Sequence, residues 1–269
     1  MNSADSVLTD PACTDPTYTE GTRSDSGAIA VQNLCFSYAD KPDVLCNVSF
    51  QVKTGERLGI IGHNGCGKTT LFMALCGVLP STAGEVLLFG QSVVPGQFHP
   101  EVGLLFQDPN DQLFSASVRD DIAFGPQNMG LPSETVDQQV REALALTGVQ
   151  ELANRPPHHL SGGEKQMVAI AGILAMRPRI VLYDEPTASL DLRARRRLIR
   201  FLQQAPETML IASHDLEFIL EVCDRVIVMH EGAIVVDGAA REVMGNQSLM
   251  ESYGLEKPHS LIPHRDPHH

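Results

Sequence analysis

The run Gly62-His63-Asn64-Gly65-Cys66-Gly67-Lys68-Thr69 fits G-x-x-x-x-G-K-[ST], a loop that wraps phosphate groups. Its residue types explain the chemistry. Gly62, Gly65 and Gly67 let the backbone turn sharply and leave no side chain between its N–H groups and an anion. Lys68 is suited to bridge a β- and a γ-phosphate, and the Thr69 hydroxyl to hold Mg²⁺. Such a loop needs a strand before it and a helix after it. Glu56 to Ile61 reads as a short buried strand. Thr69 to Cys76, with Thr70 in its first turn, reads as the start of a helix. The helix N-terminus then faces the phosphates.

Other apolar strands also end in polar groups. Val102 to Phe106 runs into Gln107-Asp108-Pro109, Arg179 to Tyr183 into Asp184-Glu185-Pro186, and Thr208 to Ala212 into Ser213-His214-Asp215. In an α/β sheet, ligands sit in the crevice at the carboxyl ends of the strands. Asp184 would hold Mg²⁺, usually through water, and Glu185 would face an attacking water. Gln107 either meets Mg²⁺ or a water, or is a plain polar strand end. Tyr38 fits either a base-stacking ring or an ordinary half-buried strand tyrosine. Ser161-Gly162-Gly163, ahead of the apolar stretch Met167 to Met176, makes a second anion-binding helix start. The first loop already accounts for one triphosphate. A second site is most useful on the nucleotide of another subunit.

The elements that must position these groups are legible in the same way. Asn47 to Lys53 alternates, with Val48, Phe50 and Val52 on one face, so antiparallel strands lead into the phosphate loop. Glu85 to Phe89 is a further strand. From Asp111 to Met176 the pattern is helical. Ser115 or Ser117 caps a helix that Gly125-Pro126 stops. Ser133 caps the next, with Glu134 and Asp137 in its first turn, and Val136, Val140, Ala143 and Leu144 on its apolar face. Arg225 to Met229 and Ala233 to Val236 form a hairpin.

Composition bounds the class. The 269 residues are 43% hydrophobic, enough for one large domain or for one domain with a small appendage. The net charge of −13 argues against a broad nucleic-acid surface. Cys13, Cys35, Cys46, Cys66, Cys76 and Cys223 show no metal-like spacing and read as reduced thiols. No segment is apolar enough to span a membrane, so direct insertion is not expected. The N-terminus lacks the basic start and apolar run of a signal peptide. Residues 1–26 are rich in Ser, Thr, Asp, Gly and Pro and are expected to be a disordered acidic tail. The arginines Arg193, Arg195, Arg196, Arg197 and Arg200 read as a solvated helix face balanced by nearby acids. His158 and His159 are expected to cover the approach to Ser161. His259, His264, His268 and His269, spaced by prolines, read as a tail with incidental metal affinity.

Taken together, residues 27–240 resemble the ATP-binding-cassette ATPases. Leu160-Ser161-Gly162-Gly163-Glu164-Lys165-Gln166 matches the family signature. It precedes Ile180-Val181-Leu182-Tyr183-Asp184-Glu185-Pro186, Ser189-Leu190-Asp191 and the strand-end His214. The resemblance implies an α/β P-loop fold with a RecA-like core, an antiparallel β subdomain and a helical signature subdomain at about 111–176. Residues 241–269 would form a short appendage with the His-rich tail. It implies ATP and Mg²⁺ as cofactors, with Thr69, Gln107 and Asp184 on the metal. Tyr38 would stack on adenine, and Gly62 to Thr70 would bind phosphate. Ser161, Gly162 and Gly163 would reach the γ-phosphate on the opposite copy of a homodimer, with Asp191 communicating across it. Glu185 would be the general base, His214 would pin γ-phosphate and water, and Lys68 and Gln107 would complete the catalytic set.

Two further stretches are similar to the ATPases of energy-coupling factor importers. One is Phe106-Gln107-Asp108-Pro109-Asn110-Asp111-Gln112-Leu113-Phe114, followed by Asp120 to Pro126. The other is Leu255-Glu256-Lys257-Pro258-His259-Ser260-Leu261. Within that group the resemblance is to cobalt and nickel systems. There the ATPase homodimer, peripheral on the cytoplasmic face, drives a transmembrane coupling protein and a metal-binding membrane subunit. The ATPase of a vitamin-type importer and a soluble non-transport ATPase are the alternatives.

Overall fold

The computed structural model describes residues 27–188 and 190–262. The N-terminal stretch 1–26, Ser189 and the histidines His264, His268 and His269 lie outside them, so the expectations made for those residues do too.

In chain order, β1 (Ile29–Phe36), β2 (Leu45–Val52) and β3 (Arg57–Ile61) lead to α1 (Lys68–Leu75). Then come β4 (Ala83–Leu88), β5 (Gln91–Ser92) and β6 (Val102–Leu105). The helices α2 (Val118–Asn128), α3 (Ser133–Thr147) and α4 (Gly162–Leu174) follow. Next are β7 (Ile180–Asp184), α5 (Leu192–Gln204), β8 (Thr208–Ala212), α6 (Leu216–Val222), β9 (Arg225–His230) and β10 (Ala233–Ala239). After these come α7 (Ala240–Gly245), α8 (Gln247–Ser252) and a short helical turn at His259–Leu261.

Two sheets form. The antiparallel sheet has the order β2-β1-β4-β5, and the larger sheet the order β10-β9-β3-β8-β7-β6. In the larger sheet β9, β3, β8, β7 and β6 run parallel, and β10 is antiparallel to β9. Alternation along the strands divides the core, because successive side chains point to opposite faces. Ile180, Leu182, Leu210, Ala212, Leu58 and Ile60 face the antiparallel sheet and α1. Val181, Tyr183, Met209, Ile211, Val226 and Val228 face the helical side. Because β3, β6, β7 and β8 run parallel, a polar group placed just beyond any of them emerges at the same end of the sheet.

The helices α2, α3 and α4 pack on one another. Two local expectations are corrected here. α2 is capped by Ser117, whose Oγ accepts from Asp120 N, but it runs through Pro126 to Asn128. Gly125 passes so close to Met176 that a Cβ there would lie 2.6 Å from Cγ and Sδ, and Pro126 is itself buried. Tertiary packing overrides the local stop signal. α3 begins at Ser133, with Pro132 at the cap and no side-chain cap bond; only Glu134 is acidic in its first turn. Asp137 instead pairs with Arg119 of α2 at 2.7 Å. The apolar face Val136, Val140, Ala143 and Leu144 is buried as expected, and Gly148 ends the helix at φ 63°.

Candidate nucleotide site

The phosphate loop runs from β3 to α1. Gly67 caps α1 at φ 106°, and a Cβ there would lie 2.8 Å from the Val44 carbonyl oxygen. Only glycine fits both the left-handed backbone and that approach. Lys68 is buried and curls back on its own loop. Its Nζ donates to the Gly62 carbonyl at 2.8 Å and the His63 carbonyl at 3.1 Å. An arriving phosphate offers the ammonium a charged acceptor in place of these neutral ones.

Thr69 Oγ1 donates to Asp184 Oδ2 at 2.6 Å, joining the helix start to the end of β7. Burial pushes the Asp184 carboxyl above its ordinary range; the Thr69 bond opposes this, the Glu185 charge adds to it, and Lys68 opposes it. Glu185 follows with a left-handed φ of 47°. That conformation costs a non-glycine residue about 1–2 kcal/mol, and Glu185 N bonds Ala212 O at 2.8 Å to hold it. Glu185 Oε2 accepts from Ser213 Oγ and His214 N at 3.2 Å each and lies 2.7 Å from His214 Nδ1. With the carboxylate ionised, that nitrogen is the donor. Glu185 Oε1 is buried and has no protein partner.

These groups line a cavity of about 330 Å³ together with Tyr38, Asn64, Gly65, Gly67, Thr70 and Gln107. The Tyr38 ring stands edge-on to Phe36 at 4.7 Å between centroids, is 39% exposed, and has its hydroxyl 3.4 Å from Thr70 Oγ1. Lys41 and Val44 line the same cavity and carry no signal in the sequence, nor does the support Ser213 gives Glu185. Lys41 and Val44 are brought in by a turn in which Tyr38 N donates to Lys41 O at 2.9 Å.

Two residues of the expected set turn away. The His63 side chain leaves the cavity and meets the Tyr253 carbonyl. Cys66 is buried beneath the loop, where a Cβ on Gly62 would lie 2.9 Å from its Sγ. Burial pushes the thiol above its ordinary pKa, and the Lys68 charge only partly offsets this. A reactive thiolate, the ordinary consequence of a helix N-terminus, is not what this packing favours.

Ser161, Gly162, Gly163 and Asp191 are brought together, but on a different surface. They line a cavity of about 920 Å³ with Arg193, Arg196, Arg197 and Arg200. Ser161 and Glu164 form a reciprocal cap. Ser161 N and Oγ donate to Glu164 Oε2 at 2.8 and 2.7 Å, and Glu164 N donates to Ser161 Oγ at 3.4 Å. Asp191 Oδ1 caps α5 through Ala194 N at 2.7 Å. The arginine face is balanced by acids in part. Arg195 binds Asp215 and Glu221, Arg196 binds Glu221, and Arg197 donates to the carbonyls of Thr147 and Gly148 at the end of α3. No helix among the described residues is long and apolar enough to cross a membrane, and no cluster of three or more His, Cys, Asp or Glu there could hold a metal.

Known proteins resemble this chain. The ABC transporter family pattern matches residues 45–188. A Synechocystis sp. protein classed with ABC transporter ATP-binding proteins is 63% identical over 234 residues, covering 87% of this chain and 82% of the relative. The energy-coupling factor transporter ATP-binding protein EcfA of Methanothermobacter thermautotrophicus is 42% identical over 238 residues, covering 86% of this chain and 76% of EcfA. Among solved structures, cbiO1 from Clostridium perfringens, part of the ABC transporter complex cbiONQ, superposes with a TM-score of 0.73 at 35% identity. That match covers 84% of this chain and 94% of cbiO1. The chain therefore belongs to the ATP-binding proteins of ABC transporters, among relatives of the energy-coupling factor type, and is an ATPase whose hydrolysis is coupled to transport.

Proposed function

We propose that this chain is the ATP-hydrolysing subunit of an energy-coupling factor importer for cobalt or nickel ions, working as a homodimer on the cytoplasmic face of the membrane. One observation carries the catalytic part. Glu185 Oε1 is a buried acceptor with no protein donor, in the same cavity as Lys68 and the Thr69–Asp184 pair. A buried acceptor left unmade is costly, and a water beside the γ-phosphate satisfies it.

The triphosphate lies on the backbone N–H groups of the loop and the start of α1, and Lys68 swings from the Gly62 and His63 carbonyls onto it. Adenine stacks on Tyr38. The Thr69 hydroxyl, the Gln107 carbonyl oxygen and the Asp184 carboxylate are hard oxygen donors that suit Mg²⁺, which when bound draws charge off the phosphates. Glu185 accepts the proton of the attacking water, and His214 and Ser213 hold its other oxygen so that Oε1 stays aimed. In one chain Ser161, Gly162, Gly163 and Asp191 line a cavity apart from this one. A second copy, facing head to tail, supplies them to the nucleotide.

The path to the membrane partner starts at Gln107. An apolar groove of about 530 Å³ between α2 and α4 is lined by Phe98, Phe106, Leu113, Phe114, Phe124 and Met176 among others. Phe98 and Phe114 are largely exposed. The groove takes a segment of the transmembrane coupling protein. Lys165 of α4 donates to Asn110 Oδ1 at 2.7 Å, which ties the groove wall to the signature helix. The metal cargo is handled by the membrane subunits. The energy-coupling factor reading is supported by the Phe106–Phe114, Asp120–Pro126 and Leu255–Leu261 motifs and by likeness to EcfA and to a protein of the cbiONQ complex. The cobalt or nickel cargo rests on the resemblance to cobalt and nickel systems within that group.

The test is to co-purify the membrane partners with this chain, reconstitute them in vesicles, and measure ATP-dependent uptake of radiolabelled cobalt, nickel and vitamins. Metal uptake that stops with Glu185→Gln is expected. Vitamin uptake without metal uptake would overturn the cargo assignment.

A further inference from the structure

We propose that His63 is a positioning residue that ties the C-terminal appendage to the phosphate loop and, through its own carbonyl, sets where Lys68 waits. The proposal rests on the reading of that loop as the nucleotide site. His63 Nε2 lies 2.6 Å from the Tyr253 carbonyl, just beyond α8. The oxygen can only accept, so this nitrogen carries the hydrogen. The carbonyl of the same residue accepts from Lys68 Nζ at 3.1 Å. Two hydrogen bonds thus run from Tyr253 to Lys68 through one residue.

The surroundings are shaped to this contact. Gly254 has φ 63°, and a Cβ there would lie 2.7 Å from His63 Nε2. Glycine meets both the left-handed backbone and the space the ring occupies. The His230 ring, at the end of β9, lies 5.5 Å from Tyr253 and 6.4 Å from His63 between centroids. The appendage is itself anchored. Met250 is buried, Leu255 N donates to Met250 O at 2.9 Å, and Ser260 N and Oγ donate to Glu217 at 3.0 and 2.6 Å. The His63 imidazole takes no place in the nucleotide cavity, so its role is to fix the loop from behind. Coupling of this kind is reciprocal: an appendage that holds the loop is held tighter when the loop binds phosphate.

The test uses full-length wild type, His63→Ala, His63→Gln and Tyr253→Phe. His63→Ala should raise both the KM and the Kd for MgATP about tenfold, a common size for coupling between sites, with kcat within about twofold of wild type. His63→Gln keeps an N–H donor and should recover most of the loss. Tyr253→Phe keeps the carbonyl and should match wild type. ATP should slow amide exchange at Gly254 and Leu255 in wild type and not in His63→Ala. An unchanged KM in His63→Ala, or appendage exchange indifferent to ATP in wild type that binds ATP, would overturn the tie and leave the nucleotide site standing. Wild type that binds no ATP would overturn the nucleotide site, and the tie with it. Should His63→Ala not fold, the wild-type exchange with and without ATP decides alone.

Discussion

The two glycine-rich helix starts of this chain are built in opposite ways. α1 begins at Gly67 with no side-chain cap and no acid in its first turn. Its N–H groups are left for an outside anion. α4 begins at Ser161 with a complete capping box, and Glu164 puts a negative charge where the helix dipole favours one. Ser161 holds the Glu164 carboxyl below its usual range through side-chain and backbone hydrogen bonds, so it stays ionised. The α1 start is open to an anion within a single chain. The α4 start is satisfied by its own residues; on the proposed reading it meets a phosphate only when a second copy brings one and the cap rearranges.

The strongest way to test this division is at Glu185, the proposed base, which lies on the α1 side. Glu185→Gln should lower hydrolysis by about 10²- to 10⁴-fold, the size of a general-base effect, while ATP binding survives. Single-turnover hydrolysis and equilibrium ATP binding separate the two. Turnover near that of wild type would remove Glu185 from the mechanism.

Smaller effects come from the helix starts themselves. Gly67→Ala must strain the backbone by about 1–2 kcal/mol, which is roughly tenfold in ATP affinity, and push against Val44 as well. Ser161→Ala should cost about 1 kcal/mol of stability through the lost cap. It should slow dimer-dependent hydrolysis and leave ATP affinity at low protein concentration unchanged. Equal losses of ATP affinity in both variants would erase the difference drawn between the two ends.

Acid should also act on the two ends differently. Burial raises the Asp184 pKa, so as pH falls its carboxylate is neutralised before a free aspartate would be. Mg²⁺ affinity, titrated by calorimetry, should begin to fall above the ordinary aspartate range, by about tenfold per pH unit once one proton competes. Glu164 is shifted the other way. Its small, exposed contribution is present above the unfolded pKa and is lost only as pH falls through the lower folded value. The α4 cap, followed by amide protection at Glu164, should therefore outlast Mg²⁺ binding on acidification. Loss of both at one pH would contradict the assignment of the two carboxyls.

Much of this site is legible in sequence because its logic is local. Loop glycines followed by Lys68-Thr69, and carboxylates at the end of an apolar strand, announce phosphate and cation binding without reference to the rest of the chain. The shared end of the sheet that gathers Gln107, Asp184, Glu185 and His214 follows from β6, β7 and β8 running parallel. What sequence missed depends on distant partners. α2 runs on through Pro126 because Gly125 fits under Met176. His63 looks outward because Tyr253 and Gly254, far along the chain, make a place for it. Asp121 looks like a plain first-turn acid, yet its Oδ1 accepts from Phe114 N at 3.1 Å and Ser115 N at 2.9 Å and so fixes the wall of the groove.

Cys66 gives the smallest and sharpest test. By position alone, a thiol at an anion-binding helix start should ionise readily and react. The fold opposes this by placing Cys66 under Gly62, 7% exposed, where burial raises its pKa more than Lys68 lowers it. Cys35 and Cys46, on β1 and β2, are only half-buried. Under limiting maleimide, peptide mass mapping should find Cys35 and Cys46 modified before Cys66, and Cys66 at least about tenfold more slowly, because reagent access favours the half-buried thiols over the buried one. MgATP should slow the residual Cys66 reaction further, since a filled loop opens less often to let the reagent in. Fast labelling of Cys66 ahead of Cys35 and Cys46 would show that the helix start outweighs burial. The α1 end would then be an open site at its thiol as well as at its backbone.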